Sequence, residues 1–305
     1  MQQHKKILIT DNKRNLKTSN KMKFELSSSQ KILKFIEIFK IIKNLNNYCC
    51  LFCNEDQIYV QTMDGSHVCL LDVKIKKEWF DNYESENNMI CFHASIIVKI
   101  LSLYLPKTIL KMETTKDMDK LNIDLIYPDN IIKSFQIPLI DMDTELLETG
   151  TNDYGVDLTM KTKYFDKYIN EILMFGEVLT MKCKGDDMYF NTNGDEGKYQ
   201  IKIPHENMEE FLMEEDLNLT IKTNAKYLAY ISKLYCVFKN VQIQLDNQYP
   251  VKIYFDDSFS INSDKIEKGH TEHITIEYYV APKIEDEELD GSDAEEDDLG
   301  ENVVM

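Results

Sequence analysis

Two ten-residue stretches, CNEDQIYVQT at residues 53–62 and CKGDDMYFNT at residues 183–192, decide how this chain is built. They share cysteine, aspartate, tyrosine and threonine at equal offsets, and they begin 130 residues apart. Each reads as a strand, a polar turn and a second strand of alternating character. The repeat indicates that the chain contains one structural unit twice.

Helical patterns flank each copy of the repeat. One helix precedes each copy, from Gln30 to Leu45 in the first half and from Lys163 to Phe175 in the second. A further helix follows each copy, from His93 to Leu105 and from Asn224 to Phe238. We therefore predict two similar α+β domains side by side, as a length of 305 residues also suggests.

Charge is distributed unevenly along the chain, which has a formal net charge of −18. Residues 1–23 carry seven basic groups and one acid, whereas residues 285–305 carry eleven acids and no base. We expect a flexible basic extension at residues 1–21 and a disordered acidic tail at residues 285–305. An acidic body argues against tight, non-specific wrapping of nucleic acid, because phosphates require a basic footprint.

The polar faces of all four predicted helices are nevertheless mainly basic. Advancing 100° per residue places lysines on the face opposite the apolar arc of each helix. These lysines are Lys34 and Lys40 on the first helix, Lys99 on the second, Lys163 and Lys167 on the third, and Lys226 and Lys233 on the fourth. If the helices lie together, they form a lysine-lined surface suited to loose contact with a phosphate backbone.

The motifs of common enzyme and metal sites do not occur in the sequence. There is no GxxxxGK[ST], HExxH or GxSxG, and the cysteines at positions 49, 50 and 53 have no second CxxC or HxxxH to complete a zinc site. We expect no catalytic residue, no metal and no cofactor. No membrane span or signal peptide is expected, and the seven cysteines should be reduced, without a disulfide framework.

Three motifs carry a resemblance to a known family. TMDGSHVCLLDV (Thr62–Val73), LIDMDTELL (Leu139–Leu147) and YYVAPKIEDEE (Tyr278–Glu288) resemble signatures of the proliferating cell nuclear antigen family, the eukaryotic sliding clamps of DNA replication. The resemblance implies a duplicated DNA-clamp fold of class α+β, with two similar domains per chain, helices lining a ring and sheets outside. It implies clamp domains at residues 22–138 and 153–284, joined by an interdomain connecting loop at residues 139–152.

The resemblance also implies a function without catalysis. A homotrimeric ring would encircle double-stranded DNA as a polymerase processivity factor, in the nucleus or at a cytoplasmic viral replication site if the source is viral. Its partners would be DNA polymerase, clamp loader, ligase and nuclease, captured through interacting-protein-box peptides. Carried over residue by residue, the DNA-binding lysines are Lys34, Lys40, Lys99, Lys163, Lys167, Lys226 and Lys233. The partner-peptide pocket comprises Met63, His67, Val68, Leu70, Leu147, Pro250, Tyr279, Ala281 and Pro282.

Other assemblies remain open at the level of sequence. A checkpoint-type clamp subunit would share this fold but assemble with unlike chains, and a monomeric processivity factor would serve one polymerase. The segments IIKSFQIP (Ile131–Pro138) and KYQIKIP (Lys198–Pro204) both end in proline, as an edge strand can. We predict that the first pairs antiparallel with the second of a neighbouring chain, which favours the ring.

Overall fold

The computed structural model describes residues 21–185, 187–215, 217–257 and 273–283. The expected acidic tail and all of the expected basic extension except Lys21 lie outside the described residues. Within the described ranges, no helix is long and apolar enough to cross a membrane.

The first half of the chain forms nine strands and two α-helices in the described region. Its elements are β1 (Met22–Leu26), α1 (Ser29–Leu45), β2 (Tyr48–Cys53), β3 (Gln57–Met63), β4 (Cys69–Lys76), β5 (Asn82–Ser85), β6 (Asn88–His93), α2 (Ala94–Leu101), β7 (Ile109–Thr114), β8 (Lys120–Ile126) and β9 (Ile132–Pro138). A short 3-10 helix at Lys77–Trp79 separates β4 from β5.

The second half repeats this order element for element. Its elements are β10 (Val156–Lys161), α3 (Thr162–Phe175), β11 (Val178–Lys184), β12 (Asp187–Gly194), β13 (Gly197–Pro204), β14 (Glu210–Met213), β15 (Leu219–Asn224), α4 (Ala225–Ser232), β16 (Asn240–Leu245), β17 (Val251–Asp256) and β18 (Ile274–Val280). Short 3-10 helices lie at His205–Asn207 and Lys233–Cys236. The duplication predicted from the two ten-residue stretches is confirmed, as is the α+β class.

The strands form three antiparallel sheets. A five-stranded sheet has the order β5-β1-β7-β8-β9, and a four-stranded sheet has the order β13-β12-β11-β15. A nine-stranded sheet, β14-β10-β16-β17-β18-β4-β3-β2-β6, runs through both halves because β18 pairs with β4. The two halves are thus joined by a continuous hydrogen-bonded ladder, while β9 and β13 end their sheets as edges.

Alternation of buried and exposed residues explains why these segments form half-buried strands. In β10, for example, the apolar residues Val156, Leu158 and Met160 point inward at every second position. Helix α1 buries Ile32, Phe35, Phe39 and Ile42 at the three- and four-residue spacing of one helical face. The buried residues of both halves belong to one continuous apolar core.

Both predicted second helices are shorter than the sequence pattern suggested. Helix α2 ends at Leu101 rather than at residue 105: the chain turns at Ser102 and Leu103, and Pro106 disfavours the helical conformation of Leu105. Helix α4 ends at Ser232, and the rest of the predicted segment tightens into the 3-10 helix Lys233–Cys236 before Val237. Apolar periodicity marked the segments correctly but continued past the helix ends.

The expectation that all cysteines are reduced is wrong for one pair. Cys50 of β2 lies directly opposite Cys91 of β6, with their Cα atoms 4.1 Å apart, and the two side chains form a disulfide. Spacing in sequence could not indicate this pair, because strand register alone brings the two residues together across 41 positions. Cys49, Cys53, Cys69 and Cys183 are free and buried, as expected, and Cys236 is free and exposed.

Candidate functional site

The four α-helices lie together, and each also packs against strands of its own half. Helix α1 packs against α2, and α3 packs against α4. Helix α1 also contacts α4 and the 3-10 helix that follows it, so that the helix pairs of the two halves meet. The sequence analysis predicted a single lysine-lined surface only if the four helices lie together. In the described structure they do.

Most of the predicted DNA-binding lysines are solvent-exposed on this helical layer. The exposed members are Lys40, Lys99, Lys163, Lys167, Lys226 and Lys233. The amino group of Lys163 lies 4.9 Å from the ring centroid of Tyr164, within the range of a cation–π contact. The helices therefore present a set of mobile cations to solvent.

Lys34 behaves differently from the other six lysines. It is partly buried, and its amino group lies 4.5 Å from the ring centroid of Phe238, which belongs to the other half of the chain. Burial lowers its pKa, while Asp256 and Asp257 partly oppose that effect. Lys34 thus connects the two halves and has less freedom to reach a phosphate.

Acidic neighbours already neutralise three of the exposed lysines. Lys40 lies 2.6 Å from Glu37, and Lys233 lies 2.9 Å from Asp166. Lys167 lies more loosely, 3.8 Å from Glu171. Exposed pairs of this kind contribute little to stability, but they reduce the positive potential that a DNA backbone would meet. Counting lysines along helix faces missed this partial neutralisation, although the acids lie three or four positions away in the case of Lys40 and Lys167.

A second candidate region lies where β3, β4 and β18 run side by side. Met63 pairs with Leu70 across β3 and β4, and Leu70 pairs with Tyr279 across β4 and β18. Paired positions of adjacent strands place their side chains on the same face, about 5 Å apart. All three side chains are partly exposed, so that they form an apolar row open to solvent.

The turn between β3 and β4 extends this row. The Asp64 carboxylate accepts hydrogen bonds from the backbone N–H groups of Ser66, Val68 and Cys69 at 2.7–2.9 Å, and these bonds lower its pKa despite burial. His67 adopts a φ of 57°, a left-handed conformation that this bonded turn holds in place. The turn fixes the backbone that carries His67 and Val68.

The segment after β18 is bonded to the same turn. The backbone N–H of Ala281 donates to the carbonyl of Val68 at 2.8 Å, and the Ala281 carbonyl accepts from the Thr223 hydroxyl at 3.4 Å. Ala281 and Pro282 therefore lie beside His67 and Val68 at the end of the row. The backbone groups of Ala281 are already engaged within the chain.

A glutamine that the sequence analysis did not identify holds the opposite wall. The side-chain amide of Gln61 donates to the Leu147 carbonyl at 2.9 Å and accepts from the Leu147 N–H at 2.7 Å. This pair of bonds ties the segment after β9 to β3 and leaves the Leu147 side chain 46% exposed beside the row. The sequence offered one signal for this contact: Gln61 lies two positions before Met63 and therefore on the same face of β3.

Polar groups support Tyr279 at its position. Its hydroxyl bonds to the Glu277 carboxylate at 3.1 Å, and the Lys252 amino group lies 5.7 Å from its ring centroid. Lys252 also lies 2.8 Å from Glu277 and lowers the pKa of that carboxyl group against the effect of burial. Burial is the main cause that raises the pKa of Tyr279.

Pro250, the residue before β17, borders the same region. The Tyr154 hydroxyl donates to the Pro250 carbonyl at 3.3 Å, and burial raises the pKa of Tyr154 to about 12. The structure thus gathers the predicted pocket residues along one face of adjacent strands and their bounding turns. Exposed aliphatic and aromatic groups framed by hydrogen-bonded loops are suited to holding the apolar side chains of a peptide.

Comparisons with known proteins agree on one family. The model of the N-terminal domain of proliferating cell nuclear antigen matches residues 21–146, and the model of its C-terminal domain matches residues 149–263. The chain is 26% identical over 261 residues to "Proliferating cell nuclear antigen" of Chaetomium thermophilum, covering 83% of this chain and 95% of that protein. It is 25% identical over 260 residues to "Proliferating cell nuclear antigen 2" of Plasmodium falciparum, covering 83% of this chain and 96% of that protein.

Proposed function

This chain belongs to the proliferating cell nuclear antigen family of non-enzymatic DNA sliding clamps, and on that premise we propose that three copies close into a ring around duplex DNA. The ring acts as a processivity factor because a closed ring cannot leave its template sideways. Retention by topology requires only weak electrostatic contact with DNA, which suits a chain with a net charge of −18.

The observation that carries this proposal is that the strand pair joining the two halves of the chain has a counterpart in two sheet edges. Within the chain, β18 of the second half pairs with β4 of the first and fuses their sheets. The elements that correspond to β18 and β4 in the opposite halves are β9 and β13, and both end their sheets. Pairing β9 of one chain with β13 of the next repeats the internal junction and hides both edges.

The helical layer forms the inner surface of the proposed ring. Lys40, Lys99, Lys163, Lys167, Lys226 and Lys233 face the DNA backbone there, and partly buried Lys34 supports the junction of the two halves. Lysine suits this role, because mobile point charges contact phosphates without reading sequence.

The row beside the Gln61-bound loop forms the partner pocket in this proposal. Its lining comprises Met63, His67, Val68, Leu70, Leu147, Pro250, Tyr279, Ala281 and Pro282. Interacting-protein-box peptides of DNA polymerase, clamp loader, ligase and nuclease insert their apolar side chains here. Partner recruitment would take place in the nucleus, or at a cytoplasmic replication site if the chain is viral.

The domain boundaries follow from the same proposal. Residues 22–138 and 153–284 act as the two clamp domains, and residues 139–152 connect them. The irregular backbone between β9 and β10, together with its tie to Gln61, supports this division.

Trapping on end-blocked DNA tests whether the protein encircles a duplex. The protein is incubated with a linear duplex that carries biotin at both ends, streptavidin is added, and the complex is washed at about 1 M salt, where charges are screened beyond about 3 Å. We expect the protein to remain on the DNA when streptavidin is added after the protein. We expect no retention when streptavidin is added first, because the ends are then closed to threading.

The order of addition separates topology from affinity. Equal retention in both orders would show binding along the duplex, and release in both orders at every protein concentration would show that no ring closes around it. Either result would overturn the proposal.

A further inference from the structure

The outward face of the four-stranded sheet in the second half is rich in lysine. Strand alternation directs the side chains of Lys182 and Lys184 on β11, Lys198 and Lys202 on β13, and Lys222 on β15 to this face. This concentration of positive charge stands out in a chain of net charge −18 and lies on different elements from the helical lysines.

An open groove of about 940 Å³ crosses this face. Four lysines line it, namely Lys182, Lys198, Lys222 and Lys283, together with the neutral amides and hydroxyls of neighbouring residues. Among the described residues, neither Lys182 nor Lys198 forms an ion pair. Lys202, on the same face, is paired with Asp187 at 2.6 Å, so the charges that no ion pair among the described residues compensates are those of Lys182 and Lys198.

A single acid, Asp246, lines the groove in the described region, and it is occupied by backbone contacts. One of its carboxylate oxygens accepts from the Gly155 N–H at 3.3 Å, and the other accepts from the Gln248 N–H at 2.7 Å. Asp246 serves mainly to hold these turns, and the lining of the groove carries more lysines than acids.

A groove on the outer face of the first half provides a contrast. It is also lined by strands, but Lys23 and Lys111 share it with Glu113 and Asp124. Lys111 lies 2.8 Å from Glu25, which neutralises its charge further. The excess of lysine is therefore specific to the second-half groove and is not a general property of the outer sheets.

The chain itself supplies a matching polyanion next to the second-half groove. The backbone N–H of Lys283, the last described residue, donates to the carbonyl of Lys222 at 2.7 Å, so the described part of the chain ends at the groove wall. Residues 285–305 contain eleven acids and no base. Crossing from β15 to β13 covers about 14 Å at a strand spacing near 4.8 Å, a distance that about five extended residues span.

We propose that the second-half groove binds the acidic segment 285–305 of this chain. Carboxylates of the segment pair with Lys182, Lys198 and Lys222, and the tether gives them an effective concentration in the millimolar range. The groove then keeps the acidic segment away from the lysines of the helical layer. The segment would otherwise compete with DNA for those lysines.

Zero-length carbodiimide cross-linking of the full chain tests this pairing. The reagent joins lysine amines to carboxylates that touch, and mass spectrometry identifies the joined residues. We expect Lys182, Lys198 and Lys222 to link to segment 285–305 about fivefold more often than Lys23 and Lys111, and the excess to vanish near 1 M salt as screening shortens to about 3 Å. Lys283 is left out of the comparison, because it adjoins the segment in sequence.

Paired variants make the test specific. Lys182→Gln with Lys198→Gln should lower the links to Lys222 by about threefold, since the remaining field holds the segment less strongly. Lys23→Gln with Lys111→Gln is the matched control, and it should leave those links unchanged. Mixing isotope-labelled and unlabelled protein separates links within one chain from links between chains.

Two results would overturn the inference. The first is an even spread of cross-links over all exposed lysines, or their absence. The second is binding of an added dT20 oligonucleotide or polyglutamate peptide to the groove, weakened by Lys182→Gln with Lys198→Gln, in protein that forms no links to its own acidic segment. That outcome would assign the groove to an external polyanion.

Discussion

At the scale of single residues, strand alternation explains why Tyr279 is partly exposed although it stands near the end of a strand with a buried face. Tyr278 points into the core and is fully buried, whereas Tyr279 alternates to the outer face beside Leu70. The motif around Tyr279 predicts a place in a partner pocket, and the structure puts this side chain, partly exposed, beside Leu70. The Gln61 contact could not be predicted, because it depends on where an irregular loop returns to β3 in three dimensions.

The aromatic anchor of the pocket gives the first prediction. Tyr279→Ala or Leu147→Ala should weaken binding of an interacting-protein-box peptide by about 2 kcal/mol or more, because truncating a central anchor exposes its cavity to water. Calorimetric titration measures the weakening, and the thermal midpoint should stay nearly unchanged since both side chains are partly exposed. Tyr235→Ala, at an exposed tyrosine on the helical side, is the control and should bind normally. Undiminished affinity in both pocket variants would locate the partner site elsewhere.

The loop contact of Gln61 gives the second prediction. Gln61→Ala removes two hydrogen bonds to Leu147, each with a net contribution of about 1 kcal/mol, so peptide affinity should fall by up to about 30-fold. Hydrogen exchange at the Leu147 N–H should accelerate at the same time, because the variant removes its acceptor. Gln136→Ala removes an exposed glutamine that bonds to Asn122, and it should change neither quantity. Normal exchange at Leu147 in the Gln61 variant would contradict a role for this glutamine in holding the loop.

At the scale of elements, hydrophobic periodicity predicted all four helices but not the charge they present. The apolar arc of α1 is read directly from its sequence, and the structure buries it. Ion pairs such as Lys233 with Asp166 join α3 to the 3-10 helix after α4, across 67 positions, so they depend on how the elements pack. Lysines that appear equivalent on a helical projection therefore differ in the charge available to DNA.

This difference gives the third prediction. Lys99→Ala, Lys163→Ala and Lys226→Ala in combination should weaken DNA binding before the ends are blocked, and should reduce the slope of log affinity against log salt by about one for each phosphate that is no longer neutralised. These lysines form no ion pair within the described residues, so their full charge faces solvent. Lys23→Ala, Lys111→Ala and Lys120→Ala on the outer strands form the control and should leave the slope unchanged. An unaltered slope in the helical variant would remove these lysines from the DNA surface.

The paired lysines give the fourth prediction. Lys40→Ala with Lys233→Ala should reduce the salt slope less, per lysine removed, than the triple variant does. Glu37 and Asp166 already compensate these two charges at 2.6 and 2.9 Å. Salt titrations of DNA binding for both variants measure the ratio. An equal or larger effect per lysine would mean that DNA displaces the acids from both pairs.

At the scale of the whole molecule, the repeat predicted the duplicated fold, and the family motifs predicted its class. The sequence did not reveal that β18 and β4 fuse the two halves into a nine-stranded sheet, since strand partners far apart in sequence follow from three-dimensional packing. The Cys50–Cys91 disulfide was missed for the same reason. Only the structure shows that β9 and β13, which end their sheets, are the counterparts of the strands that fuse.

The predicted junction between chains gives the fifth prediction. Phe135 of β9 pairs with Ile123, and Tyr278 of β18 pairs with Ile253 at the equivalent place in the other half. Tyr199 of β13 pairs with Thr192, and Leu71 of β4 pairs with Thr62 at the equivalent place. Because Tyr278 pairs with Leu71, Phe135 should pair with Tyr199 of the neighbouring chain.

Phe135→Ala should therefore weaken each interface between chains by about 2 kcal/mol, and because three interfaces hold three chains, the assembly should dissociate at a concentration roughly 150-fold higher than the parent. Phe211→Ala, on the edge strand β14, is the control and should not change assembly. Analytical ultracentrifugation over a dilution series measures both. Equal dissociation of the two variants would contradict the proposed strand pairing.

The molar mass of the unmodified protein in solution tests the ring most directly. Light scattering at micromolar concentration should give three times the chain mass of 35.8 kDa, constant across a tenfold dilution. A mass equal to one chain throughout that range would contradict the homotrimer, and with it the proposal that this chain encircles DNA by itself.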